Sequence, residues 1–148
     1  MVERAIRGLD LSALAHARER RRMTRADLAR VTGLSTSTIQ KWESGAASPN
    51  IETLAKAAAA LGVPLRRIVK VPPSRRTLAD WRHLAGLSQT KLARAAGLTT
   101  PALAALERGE SQLTDDKADR IAPHLNATHA QLRAAWQRAR DRPPGAPA

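Results

Sequence analysis

The chain has 148 residues, a formal net charge of +12 and a pI near 11.6. That length suits one ordinary domain or two small ones, and the charge points to a polyanionic partner, nucleic acid first. It contains no cysteine, which excludes disulfides, thiolate metal sites and cysteine nucleophiles, and with three tryptophans but no Tyr or Phe it is poorly equipped to bind single strands on stacked aromatic platforms.

No apolar run approaches the roughly 20 residues of a membrane-spanning helix, and the N-terminus lacks a signal-peptide core. The expectation is a cytoplasmic, nucleoid-associated protein without a membrane role. Residues 1–9 carry Glu3, Arg4 and Arg7 among small side chains and are expected to form a flexible arm, either disordered or entering a minor groove. Asp10 or Ser12 caps a first predicted helix running to about Arg22, with Leu11, Leu14 and Ala15 facing inward and Arg18 on the same side. Arg20, Arg21 and Arg22 close it. Three cations complement the negative end of a helix dipole, and the same cluster could touch phosphate.

Residues 24–45 (TRADLARVTGLSTSTIQKWESG) read as two short helices joined at a glycine. Thr24 and Asp27 have capping-box spacing, and Leu28 and Val31 share one helical face. Gly33 ends that helix because it accepts the left-handed backbone of a sharp turn, with Leu34 plugging the corner. Ser35 caps the next helix, Ile39 and Trp42 form its buried stripe, and Gly45 stops it. Thr36, Ser37, Thr38, Gln40 and Lys41 then face outward. A helix-turn-helix presents such a face to the DNA major groove.

Asn50 caps a fourth predicted helix in which Ile51, Leu54, Ala58 and Leu61 recur at helical spacing, and Gly62 ends it. Pro64 opens a short fifth helix with Leu65, Ile68 and Val69. Residues 71–74 (VPPS) form a proline-stiffened linker that favours an extended backbone.

Beyond the linker the pattern restarts at an offset of 64 residues. Leu14 falls on Leu78, Arg18 on Arg82, Leu28-Ala29-Arg30 on Leu92-Ala93-Arg94, and Gly33-Leu34 on Gly97-Leu98. Glu43, Gly45 and Leu61 fall on Glu107, Gly109 and Leu125. The second copy supplies its own caps at Ser74, Ser88, Thr99, Thr114 and Thr128, the last with Gln131 in a capping box, and its final helix carries a Leu132, Trp136 and Ala139 stripe. The expected organisation is therefore an arm over 1–9, a first domain over 10–70, a linker over 71–74, a second domain over 75–140, and a compositionally disordered tail over 141–148.

Both copies resemble the Cro/CI (Xre-like) helix-turn-helix family, whose five-helix domains are typified by phage repressors. The resemblance implies an all-α protein of two tandem five-helix, lambda-repressor-like domains that binds double-stranded DNA as a transcriptional regulator, more in the manner of a repressor. It also implies that Arg18 with Glu43, and Arg82 with Glu107, form partly buried ion pairs clamping the second helix of each motif to the scaffold. Carried across position by position, it puts base contacts at Thr36, Ser37 and Lys41, with Gln40 beside them, and a phosphate contact at Arg25; Thr38 and, from the arginine cluster, Arg22 are further candidates for phosphate. Arg25 replaces the glutamine usual in the family, which Gln89 retains.

The second motif departs from this pattern. Over residues 99–108 (TTPALAALER), Pro101, Ala102, Ala104 and Ala105 stand where the first copy has hydrogen-bonding side chains. Base readout there rests on Thr99, Thr100 and apolar contact with thymine methyls. Either the domain adds phosphate contacts through Gln89, Lys91, Arg94 and Arg108, or its alanine-rich helix is a protein interface, as for the partner of an antitoxin or phage-type accessory protein; the Leu132, Trp136 and Ala139 stripe either packs on the domain's own core or joins a homodimer. Sequence-independent DNA packaging is the remaining alternative. His16, His83, His124 and His129 show no metal-ligand spacing, and no phosphate-cradling glycine loop or nucleophile elbow occurs. No cofactor, metal site or enzymatic activity is expected.

Overall fold

The computed structural model describes residues 5–146. Residues 1–4 of the expected arm and residues 147–148 of the expected tail lie outside them. Contacts divide the described chain between Lys70 and Val71 into two helical units.

Domain 1 contains α1 (Leu11–Arg20), α2 (Arg25–Thr32), α3 (Thr36–Ser44) and α4 (Ile51–Leu61). Each opens on a side-chain cap: Asp10, Thr24, Ser35 and Asn50 accept the backbone N–H of Ala13, Asp27, Thr38 and Thr53. The Thr24 cap is a complete capping box, because Asp27 returns a hydrogen bond to the Thr24 N–H. Leu14, Leu28, Ile39, Trp42, Leu54 and Leu61 meet in the core, where α3 packs on α1 and α2 and α4 packs on the same pair. Gly33 turns α2 into α3 at φ 73°, as the corner requires.

Three expectations change here. Val31 is 51% exposed rather than part of the core, because Leu28 and Ala29 supply the buried side of α2. Leu11 and Ala15 are only half-buried, and Ala17 takes the inward position with Leu14. The fifth helix is a single 3-10 turn, Leu65–Arg67, after which Ile68 and Val69 are buried. This end of the domain is held by strand-like pairing with residues expected to belong to the arm. Leu9 forms an antiparallel bridge with Val69, the Lys70 N–H donates to the Gly8 carbonyl at 2.8 Å, and the Asp10 N–H donates to the Ile68 carbonyl at 2.7 Å. Backbone groups at this end of the domain find their hydrogen-bond partners in that pairing.

Domain 2 contains α5 (Leu78–Leu84), α6 (Gln89–Ala95), α7 (Thr100–Glu107), α8 (Asp115–Leu125) and α9 (His129–Arg140). Its first cap is Thr77, not Ser74, because Thr77 has Asp80 three residues on to complete a capping box, whereas Ser74 lies in a 3-10 turn over Pro73–Arg75. The proline segment therefore turns at once after Pro72 instead of running extended through Ser74. Ser88, Thr99, Thr114 and Thr128 cap α6 to α9 as the sequence predicts. Leu78, Trp81, Leu103, Leu106, Leu132 and Trp136 belong to one core, and α9 packs on α5, α7 and α8. Residues 141–146 are not a free tail: Arg142 donates to the carbonyls of Ala139 at 2.7 Å and of Arg108, bringing the chain back to the end of α7.

Candidate nucleic-acid interface

On α3, Thr36, Gln40 and Ser44 lie four residues apart along one line, with Ser37 and Lys41 beside it. All five are exposed, while Ile39 and Trp42 point into the core at 0% and 3% exposure. Thr38 is half-buried and shares a 2.8 Å hydrogen bond with the Ser35 cap, so its hydroxyl is partly committed to starting the helix. The exposed face offers the Gln40 amide, the Lys41 ammonium and the hydroxyls of Thr36, Ser37 and Ser44, groups that can bond base edges or phosphate oxygens.

What fixes this face is a carboxylate at the end of α3. Glu43 accepts the Arg18 Nε at 2.6 Å and the Arg18 Nη2 at 3.1 Å, a two-point ion pair from α1. Arg18 also donates through Nη1 to the Met23 carbonyl at 2.7 Å, so one guanidinium joins α1, the α1–α2 turn and α3. Arg25 adds a third arm, its Nε lying 2.6 Å from Glu43 Oε2 while its side chain remains 47% exposed. Burial pushes the Glu43 carboxyl up, but the bonds from Arg18 and Arg25 outweigh it and hold it below its ordinary value of 4.5. Glu43 in turn raises the Arg18 guanidinium.

Domain 2 repeats the device position by position. Arg82 Nε and Nη2 donate to Glu107 at 2.7 and 3.3 Å, and Nη1 donates to the Leu87 carbonyl at 2.9 Å. Here both side chains are 0% exposed, against 10% and 7% for Arg18 and Glu43. Gln89, matching Arg25, donates its amide to Glu107 at 2.7 Å and is buried. It stands in the clamp rather than on the surface where the family resemblance placed a phosphate contact. The sequence showed both clamp pairs but not the third arm from Arg25 or Gln89. The signal was there in their shared position 18 residues before each glutamate.

The reading faces differ more. On α7, Thr99 is exposed but accepts the Ala102 N–H as cap, and Thr100 is half-buried. Pro101 is exposed, Ala102 and Ala105 are half-buried, and Ala104, matching Gln40, is 2% exposed. Lys91 and Arg94 are exposed on α6, whereas Arg108 is half-buried and paired with Glu110 at 3.0 Å.

Arg21 donates to the Leu61 carbonyl at 2.9 Å, capping the end of α4. Arg22 is exposed and holds a left-handed backbone at φ 55°, the position where domain 2 has Gly86 at φ 74°. His83 is 1% exposed on α5, and His129 lies 3.0 Å from Asp119. Among the described residues no three His, Cys, Asp or Glu groups converge as a metal site, and no helix is long and apolar enough to cross a membrane.

Two helix-turn-helix units, each with a glycine corner and a clamped second helix, define a DNA-binding protein of the helix-turn-helix class. The sequence profile of the helix-turn-helix family, of Cro/CI (Xre-like) type, matches residues 14–68 and again residues 78–132. The chain belongs to that family as a tandem of two of its domains, and it is a double-stranded-DNA-binding transcription regulator of that type. No curated protein matches it.

Proposed function

We propose that the protein is a sequence-specific repressor whose base readout resides in α3. The observation that carries this reading is the contrast between the exposed, donor-rich α3 and the alanine-rich α7 on the same clamped scaffold. In the proposal Lys41 and Gln40 meet base edges, Thr36 and Ser37 add shorter-range contacts, and Arg22, Arg25 and Thr38 meet phosphate. Repression needs only that the bound protein occlude promoter DNA. Domain 2 adds backbone contact through Lys91 and Arg94, and Thr99 and Thr100 give it at most a weak base preference. Two unlike copies in one chain suit an asymmetric site, where a single helix-turn-helix would need a dimer and a palindrome. The protein would act on the nucleoid, in the cytoplasm.

A second reading has its own support. The buried Gln89 amide and the apolar α7 face favour a protein interface on domain 2, as in an antitoxin or phage accessory factor. Titrating a duplex selected from a random pool against an unselected duplex, at several salt concentrations, tests the main proposal. Tighter binding of the selected duplex is expected. Equal affinities at every salt concentration would leave only non-specific binding, since a steep salt dependence arises in both cases.

A further inference from the structure

Domain 1 contains a cleft of about 420 Å³ between α1 and the segment from Val63 to Lys70, lined by none of the residues given a DNA contact in the proposed function. Its size falls within the roughly 300–1,000 Å³ range of small-molecule sites. Ala13, Ala17, Val63 and Ile68 form an apolar floor, and His16, Arg20 and Arg67, all exposed, stand around it. Lys70 at one end is tied to Asp10 at 2.7 Å.

Domain 2 shows that the scaffold does not require this arrangement. At the 64-residue offset Ala17 is replaced by Trp81, which is 7% exposed and lies in the core. His16, Arg20, Arg67 and Lys70 become Asp80, Leu84, Gln131 and Ala134. In that copy a large ring, covered by the Arg76 guanidinium at 4.6 Å, occupies the floor position, the four matching positions carry no Arg, Lys or His, and α9 packs on α5 where domain 1 has only the turn Leu65–Arg67. The cleft and its charges are therefore specific additions to domain 1. Ala13 and Val63 leave apolar surface half-exposed on the cleft floor, and clustered cations repel one another unless an anion joins them.

From these two features we infer that the cleft is a binding site for a small amphipathic anion, an aromatic or short alkyl body bearing a single carboxylate or sulfonate. The body covers Ala17 and Ile68, and the anionic group is held by Arg20 and Arg67. Such a ligand bridges α1, which carries the Arg18 clamp, to the chain end that closes domain 1.

The test uses the full chain and the fluorescent probe 8-anilinonaphthalene-1-sulfonate. Saturable binding is expected, displaced by octanoate but not by the same concentration of inorganic phosphate, which lacks an apolar body. Ala17→Trp fills the floor as domain 2 does and should abolish binding. Arg20→Glu combined with Arg67→Glu should weaken it by about tenfold or more, corresponding to roughly 1.4 kcal/mol. Circular dichroism checks that each variant is folded. Should Ala17→Trp fail to fold, the charge-reversal variant decides alone: weakened binding supports the site and unchanged binding overturns it. Probe binding that survives Ala17→Trp in a folded protein also overturns it. So do displacement by phosphate as effective as by octanoate, and displacement by duplex DNA, which would make the cleft part of the nucleic-acid surface.

Discussion

The two domains keep one scaffold and spend it differently. In each, a carboxylate at the end of the motif's second helix takes two hydrogen bonds from an arginine on the first helix, and that arginine also reaches a carbonyl five residues further along. In domain 2 the pair is fully buried with an uncharged third member, α9 packs across α5, α7 and α8, and the chain just after α7 is pressed against the end of α9. A Cβ on Gly109 would lie 2.6 Å from the Arg140 backbone nitrogen, whereas one on Gly45 would meet nothing within 4 Å. Positions buried in domain 2 are exposed in domain 1, Gln40 against Ala104 being the sharpest case. A repeat that commits its helices to packing has fewer side chains left for a partner, and the repeat with the smaller core keeps its polar face.

The most severe break of this comparison comes from the buried arginine. Arg82→Met leaves Glu107 at 0% exposure with one amide for a partner, and should cost about 3–5 kcal/mol, comparable to the whole stability of a small domain. Arg18→Met leaves Glu43 bound to Arg25 near the surface and should cost about 1–3 kcal/mol. Urea unfolding followed by amide NMR, which separates the domains, measures both. Equal losses would mean that the difference in burial has no energetic weight.

Acid provides a gentler version in domain 1. The Glu43 carboxyl is depressed in the folded state, so its contribution is complete above its unfolded value of 4.5 and disappears as pH falls through the lower folded value. The Lys70 hydrogen bond, with those from Ser12 and Ala13, likewise depresses Asp10 beside the Gly8–Lys70 pairing, so that end of the domain weakens in the same direction. The urea midpoint of domain 1 should drop on acidification from about pH 6 to about pH 3, and less steeply in Glu43→Gln, which keeps the site but cannot titrate. An identical pH profile in that variant would remove the clamp from the explanation.

Much of this was legible in the sequence because it follows from local rules. Caps such as Thr24 with Asp27 and Thr128 with Gln131 have a fixed spacing and glycine corners have a fixed conformation, whereas the two ion pairs, each spanning 25 residues, were expected only through the family resemblance. The features that were not legible depend on chain segments meeting across sequence distance. Nothing local to Gly8 and Leu9 announces pairing with residues 60 positions away. Nothing local to Gln89 shows that its amide turns inward to Glu107 instead of outward to solvent. Arg142 reads as tail by composition, yet two carbonyls at the end of the domain bind its guanidinium.

Within the proposed reading face, Lys41→Ala should cut the preference for the selected duplex by about 1–3 kcal/mol, the worth of one good base contact, while leaving binding to random duplex nearly unchanged. Ala105→Lys, its mirror in domain 2, should raise affinity for both duplexes alike, because a lysine added to a face without other donors supplies charge and no pattern. A gain in discrimination from Ala105→Lys would transfer part of the readout to domain 2.

The smallest effect is the most diagnostic of how domain 1 differs. Arg22 holds a left-handed backbone that costs an L-residue roughly 1–2 kcal/mol, and domain 2 avoids that cost with Gly86 at the same position. A strained side chain retained at an exposed turn suggests use rather than structure. Arg22→Gly should therefore raise the stability of domain 1 by about 1 kcal/mol, after allowing for the added freedom of the unfolded glycine. It should at the same time weaken binding to selected and random duplexes equally and reduce the salt dependence by about one phosphate contact. Thermal melts and salt-dependent titrations of the one variant measure both sides. A stabilised protein with undiminished DNA affinity would remove Arg22 from the interface and leave its conformation without a functional account.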